Sequence, residues 1–373
     1  GGTVTNTVDG IFAYIDDGVL TFNTGSTLNI NYTNVIVSGS LGTITNNTAI
    51  NVGSSGLQGD NGATITNSGT GTISGTALNG KAMVGTGLGT TLTNSGNINL
   101  TGDKSIGMYA ENQAVGTSTG NISVGDKSAA YYAGANGMLN ISGTASVGED
   151  STLLYAAGGD INYTGSDIII GNKSIALTLS GASLVDFNGK NITVGNEGTG
   201  VFITDTGDFS GVSNLGDITV GNKGTGVYID NAAAFASGND INLTGAESVG
   251  IFTTKNGNIN YSGNMLSAAL KTKGIINTGT GTTVNTGNIK LTGDASIGIY
   301  GENGTSVTNT AGAVIEVGKG AYTGTVLDSA VGIYGKNAGS ILNDGTVKID
   351  KDAVGIYGEN TFVTNTGSIQ NAG

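Results

Sequence analysis

The 373-residue chain has no cysteine, no proline, no tryptophan and no histidine, and its 14 basic residues are all lysine. Each absence excludes something. Without Cys and His there can be no Ser-His-Asp triad, no Cys-His pair and no ordinary zinc site. Without Arg, a lyase that neutralises an acidic sugar would have to rely on Lys alone. Missing Pro suits a sheet in which nearly every backbone N–H is used. A chain free of thiols needs no redox chemistry, which agrees with life outside a cell. A net charge of -13 and a pI near 4.2 oppose binding to nucleic acid or anionic lipid and favour cationic partners. No apolar run approaches the roughly 20 residues of a membrane helix, so no membrane insertion by this segment is expected. The N-terminus has no basic segment and hydrophobic run of a signal peptide. Repeat texture begins at once (GGTVTNTVDG) and ends as abruptly (TGSIQNAG), so any targeting segment, anchor or cap is expected outside residues 1–373, in a longer protein.

What is present is glycine, 68 residues of it, and periodic β-branched residues within a 37% hydrophobic total. The glycines follow no three-residue period, which excludes collagen. Near-copies recur along the chain: SIGMYAEN at Ser105, SIGIYGEN at Ser296, AVGIYGKN at Ala330 and AVGIYGEN at Ala353, with divergent forms at Ser128, Thr152, Thr199, Thr225 and Ser248. Their aromatic positions are Tyr109, Tyr132, Tyr155, Phe202, Tyr228, Phe252, Tyr300, Tyr334 and Tyr357, at steps of 23, 23, 47, 26, 24, 48, 34 and 23 residues. The two long steps are double, with Ser174 to Leu179 (SIALTL) and Ser267 to Thr272 (SAALKT) as the missing members. A period of 23 to 26 residues fits a coil of three short strands joined by tight corners. The expected fold is all-β: one right-handed parallel β-helix over residues 1–373, of roughly 15 coils and about 70 Å at about 4.8 Å per coil.

Alternation assigns the faces. In NIKL, Ile289 and Leu291 point inward, and the same holds for Ile98 with Leu100, Ile122 with Val124, Ile192 with Val194, Ile218 with Val220 and Ile241 with Leu243. Applied to AVGIYG, the rule puts Val354 and Ile356 inside and Ala353, Gly355 and Tyr357 outside. Two readings of the aromatic row then stand: an external ladder of stacked rings, or rings filling a corner of the core where the strand bends at Gly. Gly287, Gly293 and Gly301 are read as residues permitting corner conformations. Asn67, Asn94, Asn214, Asn285, Asn343 and Asn365 precede corner glycines by two residues and are read as an amide ladder along the stack, the alternative being local turn bonds. Glu302, Lys336 and Glu359 form an alternating column of charge, read as structural.

The period is interrupted in two places. Loop insertions are expected near 318–328, carrying Lys319 and Tyr322, and near 205–214, presenting Asp205, Asp208 and Phe209. Phe12, Tyr14, Asp16, Asp17 and Tyr32 make an aromatic and acidic cluster in the blurred N-terminal repeat. Candidate binding residues are therefore Phe209, Tyr322, Tyr300, Tyr334, Tyr357, Asp205 and Asp208, with neutral drift in a tolerant fold as the alternative. Carboxylate pairs for glycan processing would be Asp16 with Asp17 and Asp205 with Asp208. The GxG sequences lack the context of a phosphate loop. The GGxGxDx repeat of calcium-binding β rolls is missing. No catalytic residue, no metal and no cofactor is assigned.

The VGIYGEN and SIGIYGEN segments, followed by TNTG and GNIxLTG, resemble the passenger region of the giant outer-membrane autotransporter adhesins of fusobacteria. The resemblance covers essentially the whole chain. It implies a β-helical stalk displayed at the surface of a Gram-negative bacterium through a C-terminal barrel that lies outside this sequence. It also implies virulence-related adhesion to a surface protein or glycan of another bacterium or a host cell. No binding motif of that family carries over to particular residues here. A structural spacer holding a distal binding domain away from the membrane is the alternative, and a polysaccharide-processing β-helix a third.

Overall fold

A computed structural model describes residues 3–6, 11–30, 35–38, 42–204, 206–230, 234–320 and 329–372. Among these the chain is all-β, a parallel β-solenoid of about 14 turns with one short 3-10 turn at Phe209–Gly211. It divides into two compact units: Gly1–Ile170 with Ser180–Lys190 and Gly211–Asn214, and Gly171–Leu179 with Asn191–Ser210 and Leu215–Gly373. The first unit carries parallel sheets running from Thr3–Asn6 to Thr144–Val147, from Ala13–Asp16 to Thr152–Ala156, and from Val19–Phe22 to Val212–Ser213. The second carries sheets from Ile175–Leu179 to Val354–Glu359, from Ile192–Val194 to Ser368–Asn371, and from Ala234–Ser237 to Phe362–Asn365.

One period holds three short strands, as the repeat length implied: Asn288–Leu291, Ile297–Glu302 and Ser306–Asn309. Each four-residue strand has room for two inward side chains, and the anticipated pairs fill them. Ile289, Leu291, Ile98, Leu100, Ile192 and Val194 are all buried, as are the other pairs. Strict parallel register puts Ile98 on Ile122 and Ile218 on Ile241. The core of each unit is thus a column of like residues in van der Waals contact, and its stabilisation grows with every coil added.

Asparagine forms a ladder, as expected, at the inner strand end of successive coils, in two separate runs. In the first unit the Asn46 amide donates to Asn67 at 2.9 Å and Asn67 to Asn94 at 2.8 Å. Asn94 then donates to the Ser118 hydroxyl at 3.3 Å, which also accepts from Tyr131 at 3.0 Å. In the second unit Asn285 donates to Asn309 at 2.9 Å, Asn309 to Asn343 at 2.7 Å and Asn343 to Asn365 at 2.7 Å. Asn214 is not a rung: its amide donates to the Asp186 carboxylate at an exposed position.

Two readings need correction. Gly287, Gly293 and Gly301 are not in the left-handed region. A Cβ would lie 2.1 Å from the Gly263 carbonyl oxygen at Gly287 and 1.8 Å from that of Ala269 at Gly293, so clearance between coils excludes side chains there, whereas at Gly301 it would lie 2.7 Å from Val307 Cγ2, inside the core. The left-handed corner instead falls on residues with side chains: Lys104, Lys127, Asp150, Lys173, Glu197, Lys223, Glu247, Lys271 and Ala295, with φ from 53° to 59°. The strain is offset because the corner N–H still finds a partner in the next coil, as Lys104 N–H does on the Asp126 carbonyl and Lys271 N–H on that of Asp294, both at 2.9 Å.

Candidate functional site: the outer aromatic rows

The strands that bear the aromatic residues do not alternate strictly. In Ile297–Glu302 both Gly298 and Ile299 are buried, and Gly301 is buried again. A Cβ on Gly298 would sit 2.5 Å from Ile315 Cγ2 and 2.5 Å from the Gly332 carbonyl oxygen, so this glycine faces the interior. Two successive inward residues shift the frame by one. The residue before the Gly therefore comes out on the same side as the aromatic ring. Val354 accordingly packs beside Tyr357 in a satellite cluster with Ile297, Val331, Tyr300 and Tyr334, whereas Ile299 and Ile333 are the true core residues. The assignment of Val354 to the interior and of Gly355 to the exterior is overturned. Tyr357 is outside, as alternation had it.

The rings make an external row, half-buried except at Tyr334, which is buried. Tyr109 and Tyr132 have centroids 4.8 Å apart at 16°, and Tyr132 and Tyr155 4.9 Å apart at 16°. Phe202, Tyr228 and Phe252 continue the pattern at 5.2 Å and 5.2 Å, inclined by 15° and 11°. These spacings are the strand separation itself, so parallel register alone brings each ring onto the next, at about 0.5–1.5 kcal/mol a pair. Tyr300, Tyr334 and Tyr357 are equally close, 5.0 and 5.1 Å, but meet edge to face at 82° and 75°.

Of the missing members, Ile175–Leu179 is right and puts Thr178 opposite Phe202. The Ser267 to Thr272 segment is wrong. The strand in this sheet is Lys273–Asn277, with Ile276 between Phe252 and Tyr300. Resemblance to SIALTL misled by a few residues; counting 24 from Phe252 would have found Ile276.

Acidic side chains border the rows. Glu302, Lys336 and Glu359 are in register as expected. The Tyr109 hydroxyl donates to Glu111 and that of Tyr334 to Glu359 at 3.4 Å. Burial, and then the neighbouring carboxylates, push the phenols of Tyr109, Tyr300 and Tyr334 above their ordinary value. Lys81 lies with its ammonium 4.8 Å from the centroid of the Tyr109 ring. Sequence reasoning missed that contact, since Lys81 comes from the coil before Tyr109 and does not sit in any repeated motif.

The proposed insertion residues fare differently. Phe209 is not presented outward: it is buried and packs on Phe235 at 4.5 Å, because a large apolar side chain in a loop gains more from covering the core than from facing water. Asp208 is exposed, and its carboxylate accepts from the Ser210 N–H at 2.9 Å and hydroxyl at 2.7 Å, which lowers its pKa. Asp205 and Tyr322 lie outside the described residues, as does Tyr32. Tyr14, Asp16 and Asp17 are exposed. Among the described residues no group of three or more acidic side chains could hold a metal ion, and no helix is long and apolar enough to cross a membrane. An open groove of about 700 Å³ runs beside Leu266 and Lys290 in the second unit, and Lys290 pairs with Glu316 at 3.3 Å.

These features define a parallel β-solenoid whose repeated outer positions form aromatic and charged columns. Residues 135–372 match the family described as the BigA third pectate lyase-like domain, and the chain belongs to that family. A solved structure of the TibC-catalysed hyperglycosylated TibA fragment, its residues 55–350, is similar at 12% identity and a TM-score of 0.33, with 99% of this chain and 97% of that one covered. No curated protein matches the chain.

Proposed function

We propose that this chain is a non-catalytic segment of a bacterial surface adhesin, presented outside the outer membrane, and that it attaches to a protein or glycan of another bacterium or a host cell. The carrying observation is the ordered outer face: in-register columns of Tyr and Phe, with an alternating Glu, Lys, Glu column beside them, on a repeated scaffold, together with membership of a β-helical domain family. Asp208 supports a non-catalytic reading. A general acid needs a raised pKa, and Asp208 is held low by two hydrogen bonds in an exposed loop. Beads coated with the chain should bind partner cells. Failure across a panel of bacteria and host cells would sink the adhesin reading, and product release from a polysaccharide panel would overturn the non-catalytic one.

The spacer reading draws on one observation of its own. In the flat-stacked rows the ring faces are covered by one another, leaving mainly edges for a ligand.

A further inference from the structure

The outer face around Tyr334 is built differently from the flat-stacked rows. Tyr300, Tyr334 and Tyr357 meet at 82° and 75°. Tyr334 is buried between its neighbours, whereas Tyr300 and Tyr357 remain half-exposed. Ile297, Val331 and Val354 pack against one side of the rings. Two residues beyond each ring come Glu302, Lys336 and Glu359, in register.

The first unit holds the same constellation with an ammonium already in it. Ile106, Tyr109 and Glu111 occupy the strand positions that Ile297, Tyr300 and Glu302 occupy in the second unit. The Tyr109 hydroxyl donates to Glu111, and Lys81 from the preceding coil reaches 4.8 Å from the ring centroid. A ring whose face attracts a cation, with a carboxylate beside it, thus takes a lysine within this chain.

We infer that the face formed by Tyr300, Tyr334, Tyr357, Glu302 and Glu359 docks lysine side chains of a cationic partner protein. The inference rests on the adhesin reading for the partner and adds the chemistry of the contact. A net charge of -13 aids the encounter. Lys273, in register with Ile297 as Lys81 is with Ile106, and Lys336, opposite both glutamates, are the internal ammoniums with which an incoming lysine competes.

The test is an NMR titration of the chain with a tetralysine peptide, with the fully acetylated peptide as control. Saturable shifts of the Tyr300 and Tyr357 ring signals are expected with the first peptide only. Tyr357→Leu should weaken binding about two- to fivefold, the worth of one exposed cation–π contact. Glu302→Gln should weaken it and reduce its salt dependence, and Lys336→Gln should tighten it. Equal shifts with the acetylated peptide, or binding indifferent to both Tyr357→Leu and Lys336→Gln, would overturn the inference. Should Tyr357→Leu fail to fold, Lys336→Gln decides alone, and absence of tightening counts against it. Beads that hold cells but ignore competing tetralysine would refute this site and leave adhesion standing. Tetralysine binding by a chain that holds no cells would do the reverse.

Discussion

Asn309 shows how much a single polar residue can carry in this fold. It accepts from Asn285 and donates to Asn343, all three buried, so its amide is satisfied along the stack on both sides. Asn309→Ala leaves the Asn343 side-chain Oδ1 without that donor in a site closed to water, and should cost about 1–3 kcal/mol, read as a lower urea midpoint at unchanged slope. Lys271 is the opposite case. It sits at φ 57°, where a side chain is disfavoured, and its backbone N–H is bonded to the Asp294 carbonyl whatever the side chain. Lys271→Gly should therefore raise stability, by about 1 kcal/mol, and an unchanged or lower midpoint would show that the charge at this corner matters more than the strain. The amide ladder could be read in advance, because Asn recurs at one distance from a corner. The left-handed corner was missed although Lys104, Lys127, Lys173 and Lys223 each follow Gly-Asp or Gly-Asn: the glycine draws the eye as the corner residue, while the strained position lies two residues further on.

At the scale of the strand, the glycine in the VGIYG segments sets the frame of the aromatic rows. Gly298, Gly332 and Gly274 each approach the carbonyl oxygen of the equivalent glycine in the next coil, at 2.5, 2.5 and 2.4 Å from a would-be Cβ. Gly298→Ala must push two coils apart or turn the strand, so a loss of about 1–3 kcal/mol is expected, with the Tyr300–Tyr334 contact disturbed and near-UV circular dichroism altered. The rows also respond to pH. Burial and adjacent glutamates raise the folded-state values of Tyr109, Tyr300 and Tyr334 above 10.0, so folding favours the neutral phenol. Their contribution is complete below pH 10.0, the unfolded value, and is lost as pH rises through and beyond it. Absorbance titration should find a subset of the tyrosines ionising late, and alkaline unfolding should shift to higher pH in Glu302→Gln. Alternation placed the four-residue strands correctly, Asn288–Leu291 among them, because each has one clear apolar face. It failed in Ile297–Glu302, where the inward positions are Gly, Ile and Gly, and two of these have no side chain to reveal their facing. Phe209 was misjudged for a related reason: an interruption of the period says where a loop is, not which of its residues turns back onto the core.

On the scale of the whole molecule, nearest-neighbour stacking makes coils removable, and this separates attachment from spacing. Ile251 and Ile275 are register partners, so deleting Phe252 to Ile275 rejoins the chain in phase. Tyr334 and Tyr357 are partners too, and deleting Gly335 to Tyr357 removes Lys336 and one ring of the edge-to-face group. Both shortened chains should keep a cooperative β signal by circular dichroism, with small losses of stability from the missing core residues. Their binding should differ. If the edge-to-face group is the adhesive surface, beads carrying the second deletion lose cell attachment while those carrying the first retain it. A spacer would hold no cells on a bead in either shortened form or at full length, and would show only shortened reach when displayed on a cell beneath a distal binding domain. Equal loss in both deletions would instead mean that attachment is spread along the columns, which is the outcome that generic attraction to an acidic repeat would give, and added salt should then abolish it.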